Sequence, residues 1–456
     1  MLEKETLAIL TKAVERLEAG FAGLPPMNAE APQRERIAEV LQEAAERLHD
    51  NFPYFHPLYA GQMLKPPHPV ARLAYALAMW INPNNHALDG GRASSAMEKE
   101  AVAEIAAMFG WKSFLGHLCG GGTMANLEAL WVARETHPAK AVVASTQAHY
   151  THKRISKVLK LDFDEVACDE RGRMDLLALE RQLERGDVGT VVATMGTTAT
   201  GAVDPLDEIL ELRQKHGFRV HADAAYGGYF VLADNLGESA RKAFARLAET
   251  DSIVVDPHKH GLQPYGCGCI LFRDASVGRF YKHDSPYTYF SSAELHLGEI
   301  SLECSRPGAS AVALWATQRL MPLVRNGEFA KGLEKGRGAA LALYGKLKAS
   351  GNWLTAFEPE LDIVVFAPRT AAASGHAVNT REISQASRRV FGAAAKGGLH
   401  LALAELPVNF FPDTARSIGR NAETMTCLRS VLMKPEHAEW MERIWAILSE
   451  VAKTEI

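Results

Sequence analysis

Short apolar runs separated by stretches of helical spacing dominate the middle of the chain. From residue 114 to about residue 275, AVVAS, TVVATM, FRVHADAAYGG, SIVVDPHK and CGCILFR alternate with THKRISKVLKL and VDPLDEILELRQKHG. Unbroken apolar runs suit strands buried on both faces, and their alternation with helices predicts a mostly parallel sheet with helices packed on each side. After TVVATM a helix start is spelled out: Asp204 can cap, Pro205 suits the first helical position, and Asp207 and Glu208 favour the first turn. Ligands of such sheets gather at the loops that follow the carboxyl ends of the strands.

The pattern changes on either side of this region. Residues 1–50 carry helical spacing in two segments interrupted by GLPPMNAEAP, which predicts a helical arm. The stretch from NFPYFHPLYAGQM to NPNNHALDGGR is dense in Pro, Asn, His and Gly, as a surface loop or pocket wall would be, with one apolar helix between. After CSRPGASAVALWATQRLM the spacing is long and helical, and beyond residue 350 DIVVFA, LHLALAEL and TMTCLRSVLM read as strands separated by helices. The expected division is a helical arm over 1–55, a large α/β domain over 56–325 and a small α+β domain over 326–456. No internal repeat, low-complexity tract or heptad run interrupts it.

Composition narrows the function. With 456 residues, 47% of them hydrophobic and 23% charged, the chain can bury a large core and a further lobe. Fifty basic side chains against fifty-four acidic ones, with no polybasic block, speak against nucleic acid or an anionic membrane as partner and for small-molecule chemistry. The six cysteines form no C-x-x-C pair, which suits reduced thiols in a cytosol. The first segment, MLEKETLAILTKAVERLEAGF, mixes charges with apolar residues unlike a signal peptide, and ARLAYALAMWI is too short to span a bilayer, so a cytoplasmic protein is expected.

Chemistry-bearing residues stand at the predicted strand ends: His149 in STQAHYTHK, Asp223 in HADAAYGG and Lys259 in DPHKHG. Upstream, Gly120, Gly121, Gly122 and Thr123 lead straight into a helix, whose first N–H groups suit one anion. Neither G-x-x-x-x-G-K-[ST] nor G-x-G-x-x-G is present, so a phosphate monoester fits better than a triphosphate or dinucleotide. Each feature alone has a plainer reading: a tight turn, a core histidine, a capping aspartate, a solvated lysine. His258, His260, Cys267 and Cys269 lack any common zinc spacing, so no metal is expected. Taken together, an anion cradle, a carboxylate for a ring nitrogen, a partly desolvated lysine suited to imine chemistry and an imidazole are the parts that hold pyridoxal 5'-phosphate. Ala225, two residues beyond Asp223, leaves room for a flat ring.

With CGGGTMANLEAL, STQAHYTHK, ATMGTT, HADAAYGG, DPHK and a tyrosine-containing loop ending in LECSR in that order, the chain resembles the group II pyridoxal-phosphate-dependent amino acid decarboxylases, the family of aromatic amino acid and glutamate decarboxylases. The resemblance covers residues 55–320. It implies a fold-type I enzyme in which Lys259 carries the cofactor, Asp223 pairs with the pyridine nitrogen, and His149 stacks over the ring with Ala225 beneath. Gly121, Gly122, Thr123 and His258 would hold the phosphate region and Thr198 would lie near the ring. The family's loop acid would be Tyr289, or else Tyr287, in FYKHDSPYTYFSSAELHLGE; relatives with phenylalanine there tend toward oxidative deamination. His86 and Arg306 are the substrate-side candidates, although Arg306 near a helix start also suits a structural ion pair.

The implied activity is release of CO2 from an L-amino acid, an aromatic one preferred over an acidic or other polar one, by a homodimer whose arm wraps its partner. An aminotransferase or carbon–carbon lyase on the same scaffold is the alternative. The chain departs from many relatives at His260, where an aromatic residue is usual, at Cys119 and Gly120, where Ser or Thr is common, and at Asn85 and His86 on the pocket wall.

Overall fold

The computed structural model describes residues 4–25, 33–86, 88–282, 300–370, 379–412 and 421–456. Its larger sheet has seven strands: β1 (Leu115–Cys119), β2 (Ala141–Ser145), β3 (Phe163–Val166), β4 (Val188–Thr194), β5 (Arg219–Asp223), β6 (Ser252–Val255) and β7 (Gly268–Phe272). They lie in the order β1-β7-β6-β5-β4-β2-β3. The pairs from β3 to β6 are parallel, whereas β7 runs antiparallel to both its neighbours. Every residue of β2, β4, β6 and β7 is buried, as two-sided coverage requires. At about 1.5–3 kcal/mol for each fully buried Val, Leu or Ile, runs such as VVAT and SIVV do most to fix this sheet.

One expectation fails locally. The helix after β4 spans Leu206–His216, with Pro205 at the cap position and not inside the first turn. The Asp204 carboxylate does not cap it. Instead Oδ1 accepts from the Met174 N–H at 2.7 Å and Oδ2 from the Thr194 N–H at 2.7 Å. Two N–H donors of the buried sheet end outbid a helix terminus that Asp207 and Glu208 already serve.

The smaller sheet is antiparallel throughout, in the order β10-β11-β9-β8. Its strands are β8 (Trp353–Thr355), β9 (Ile363–Pro368), β10 (Ala402–Pro407) and β11 (Thr424–Val431). The helices Glu328–Ser350, Thr380–Lys396 and Met441–Glu455 pack on it around Phe366, Leu428 and Leu343. Sequence NTRE begins the second of these with a capping box: the Asn379 side chain accepts from the Glu382 N–H at 3.1 Å, and Glu382 Oε2 accepts from the Asn379 N–H at 3.0 Å. Residues 58–60, expected with the large domain, dock on the small sheet: the Ala60 N–H donates to the His400 carbonyl at 2.8 Å and the Val431 N–H to the Ala60 carbonyl at 2.8 Å. Polar YAGQ gives no sign of this because the partners are backbone groups.

The arm forms the helices Lys4–Ala19 and Arg34–Leu48, and neither buries a residue within this chain. Ile9, Val40 and Leu41 are more than half exposed. Among the described residues no helix is long and apolar enough to cross a membrane.

Candidate active site

The parallel strands deliver their following loops to one edge of the sheet, and a cavity of 560 Å³ opens there. Its wall takes Gly120–Thr123 from the turn after β1, His149 from the loop after β2, Thr194 and Thr198 from β4 and its loop, Asp223 and Ala225 from β5, and Asp256, His258 and Lys259 from the loop after β6. Reversal of β7 matters here. Its first residues start from the same edge, so the Cys267 carbonyl accepts from His258 Nδ1 at 2.8 Å.

The glycine turn is shaped by close approach. Gly121 has φ +140 and caps the helix Gly122–Thr136. A side chain on Gly268 of β7 would meet the Gly121 Cα at 2.5 Å, and one on Gly122 would meet Asp256 Oδ2 at 2.7 Å. Glycine at these positions lets the strand, the turn and the Asp256 carboxylate crowd together while the first N–H groups of the helix stay available. Glu303 Oε2 accepts from the Gly120 N–H at 2.8 Å at the rim.

Asp223 is 6% exposed. Its Oδ2 accepts from His152 Nε2 at 2.8 Å and from Asn126 Nδ2 at 3.4 Å, and its Oδ1 from the Ala225 N–H at 3.2 Å. Burial alone would push the carboxyl up; the His152 hydrogen bond and charge, with Lys259, outweigh it and hold Asp223 below the usual carboxylate range. Behind it, His221 bonds Asn126 Oδ1 at 2.8 Å and Ser252 Oγ at 2.9 Å, and burial lowers its pKa to about 3, so it is a neutral strut.

Lys259 Nζ stands 3.1 Å from Asp256 Oδ2. His149 Nδ1 accepts from the Thr151 N–H at 3.3 Å and from the Thr151 hydroxyl, which leaves its proton on Nε2. Burial, opposed by the charge of Asp223, lowers the His149 pKa and favours that neutral form. Two buried cavity-wall atoms, Asp256 Oδ1 and Thr194 Oγ1, have no hydrogen-bond partner.

The structure thus gathers Lys259, His149, Asp223, Ala225, Gly121, Gly122, Thr123, Thr198 and His258 around one cavity. It places Arg306 elsewhere: 6% exposed, the guanidinium donates to Glu98 Oε1 at 2.9 Å and to the Leu118 carbonyl. A buried arginine with those partners is an internal brace, so it is not free for a substrate carboxylate. His86 also lies outside this chain's cavity wall, with Nδ1 buried and unpartnered. Tyr287 and Tyr289 lie outside the described residues. Four contributors were not singled out from the sequence: His152, Asn126, Asp256 and Glu303. For His152 the signal is its place three residues after His149 at a helix start, and for Asp256 its place three residues before Lys259.

Residues 24–369 match the model of the pyridoxal-dependent decarboxylase conserved domain. The chain belongs to this family. It is 29% identical to an L-tyrosine decarboxylase of Enterococcus faecium over 64% of each chain, so it spans less than two thirds of that relative's length. To the cysteine sulfinic acid decarboxylase of Mus musculus it is 29% identical over 73% of this chain and 71% of that one. The fold agrees with that of Catharanthus roseus tryptophan decarboxylase in complex with L-tryptophan at TM-score 0.76 and 14% identity, over 100% of this chain and 99% of the other.

The group to fit is therefore pyridoxal 5'-phosphate, and the cavity fits it. Glycine N–H groups and Thr123 suit a phosphate at one side; Asp223, kept ionised by His152, suits a protonated ring nitrogen at the other. Ala225 offers a flat floor, and Lys259 an amine for the aldehyde. The unpartnered Thr194 hydroxyl and Asp256 oxygen are donors and acceptors that a bound polar group would use.

Proposed function

We propose that this chain decarboxylates an L-amino acid, with a neutral aromatic substrate preferred. The observation that carries the reading is the meeting of Asp223 and Lys259 on one cavity wall, the carboxylate ionised and the amine beside an acceptor. When bound, pyridoxal phosphate supplies an electron sink for the bond that breaks at the substrate's α-carbon.

The residues of this chain then have separate tasks. Lys259 would hold the cofactor through its amine, and Asp256, 3.1 Å from that amine, would be the carboxylate placed to take or return its proton. Asp223, bonded to His152, would pair with the cofactor's ring nitrogen and hold a proton there. Neutral His149 covers the site and presents its Nε2 proton. The α-carbon must finally take a proton, a task we assign to Tyr289. With CO2 still released and dioxygen as the two-electron oxidant, reduced to hydrogen peroxide, Tyr289→Phe should divert product from the amine toward aldehyde and ammonia; diversion by Tyr287→Phe alone transfers the task to that residue.

Charge supports the substrate preference. The described cavity wall carries three carboxylates, Asp223, Asp256 and Glu303, against one lysine and no arginine. A second carboxylate on the substrate would meet repulsion and no strong partner. CO2 release should be measured over a panel of tyrosine, tryptophan, phenylalanine, aspartate, glutamate and cysteine sulfinate. Tyrosine or another aromatic should lead by tenfold or more, about 1.4 kcal/mol of discrimination. Faster turnover of an acidic substrate overturns the preference; CO2 release from none of them, with a keto acid required instead, favours the aminotransferase alternative.

The arm also supports a homodimer, since every residue of its second helix, Arg34–Leu48, is exposed, its apolar Ile37, Val40 and Leu41 included.

A further inference from the structure

His260, next to Lys259, has no part in the chemistry above, yet it is 1% exposed. Its ring meets those of Tyr226 and Phe230 edge-on, with centroids 4.8 and 5.0 Å away. Its Nε2 stands 3.2 Å from Asp362 Oδ2, close enough for an ion pair but misaligned for a hydrogen bond, and neither atom has another partner. The other oxygen, Asp362 Oδ1, accepts from the Tyr226 hydroxyl at 2.5 Å. Asp362 is wholly buried and immediately precedes β9. Its own carbonyl accepts from the Leu432 N–H at 2.8 Å, which ties it to the small sheet.

The sequence positions give this cluster its interest. Tyr226 follows Ala225, the floor of the cavity; His260 follows Lys259. A single carboxylate beside the small sheet therefore bonds Tyr226 and lies against His260, the neighbours of two site residues whose loops follow different strands of the large sheet. A phenol bonded to a buried carboxylate is a strong, directional contact. The groups around it are Lys65, Arg429 and the neutral His260: burial lowers the His260 pKa far below its usual value, with Lys65 and Lys259 adding to the effect. Burial also raises the Asp362 carboxyl to about 6, against the pull of Tyr226, Lys65 and Arg429.

We propose that Asp362 is a positioning residue: by accepting the Tyr226 hydrogen bond and packing against His260 it fixes the loops of Ala225 and Lys259, and with them the orientation of the cofactor ring. The proposal rests on the reading of Ala225 and Lys259 given above. It makes the small sheet part of the active-site geometry and gives His260 a role as the spacer between Tyr226, Phe230 and Asp362.

The test uses the holoenzyme without substrate. Asp362→Asn, Tyr226→Phe and the double variant are compared by the induced circular dichroism of the bound cofactor and by its rate of loss. Each single variant should weaken the visible dichroic band and speed cofactor loss about tenfold, and the double variant should be no worse than either, as for members of one network. If Asp362→Asn does not fold, Tyr226→Phe, which removes only a hydroxyl, carries the measurement. A lowered melting temperature with an unmoved band and unchanged cofactor loss shows a plain structural brace and overturns the proposal, as do additive effects. Borohydride reduction of the wild-type holoenzyme separates the underlying reading: cofactor fixed on a lysine other than Lys259 overturns the site assignment itself.

Discussion

Lys259→Ala should bind pyridoxal phosphate without covalent attachment and should lose turnover by at least the 10²–10⁴-fold, roughly, that a positioned proton-transfer group contributes. Two functions disappear together. The amine that would join the aldehyde is gone, and so is the cation that sits 3.1 Å from Asp256. Its removal leaves Asp256, 2% exposed and with Oδ1 already unpartnered, short of its charge partner. The variant is therefore expected to melt lower than the wild type in the absence of cofactor, and that loss must be told apart from lost chemistry. Lys259→Arg does so, because a guanidinium keeps the charge beside Asp256 but cannot form the imine. Covalent adduct is read by mass after borohydride reduction, and turnover by CO2 release. An adduct in Lys259→Ala, or turnover within a few fold of the wild type, sinks the assignment.

What made Lys259 legible was its place at the end of SIVV, and the same holds for His149 and Asp223. In a parallel sheet the strand ends that matter all lie on one edge, so residues 110 positions apart in the chain, Lys259 and His149, converge without any sequence signal of their contact. The glycine turn was legible for a related reason: it joins a strand to a helix N-terminus. Residues that support the site from inside a helix were not. His152 and Asn126 lie on helices as ordinary polar residues, and only the fold shows that both meet Asp223. Arg306 failed in the opposite direction. An arginine after a loop looked available, but Glu98, 208 positions away, occupies it. The reversal of β7 was also hidden, since CGCILFR has the same buried character in either direction. Asp362 is the extreme case: a residue of the small sheet whose partner Tyr226 is 136 positions away.

Asp223→Asn should keep the shape of the site and lose its electrostatics. The amide preserves the size of the carboxylate and still accepts from His152 or Asn126, so the fold around β5 should survive. It cannot hold a proton on the cofactor's ring nitrogen, however, because it offers no charge. Breaking a buried ion pair costs about 3–5 kcal/mol, which corresponds to a loss of roughly 10²–10⁴-fold in whichever of cofactor retention or turnover the pair supports. The two are separable by saturating with cofactor: retention lost with turnover restored means that the pair serves binding, whereas turnover still lost means that it serves the electron sink. The second result is expected, since Asp223 is held ionised by His152 even before any ring nitrogen is present. His152→Gln tests that dependence. It removes the charge that opposes burial, while the amide can still donate, so the Asp223 carboxyl should move up toward its ordinary range. Ionised Asp223 supports the reaction, so protonation on the acid side should then silence the enzyme, and the acid limb of the pH–rate profile should shift to higher pH in His152→Gln. A limb that stays in place, together with wild-type turnover in Asp223→Asn, would remove Asp223 from the mechanism.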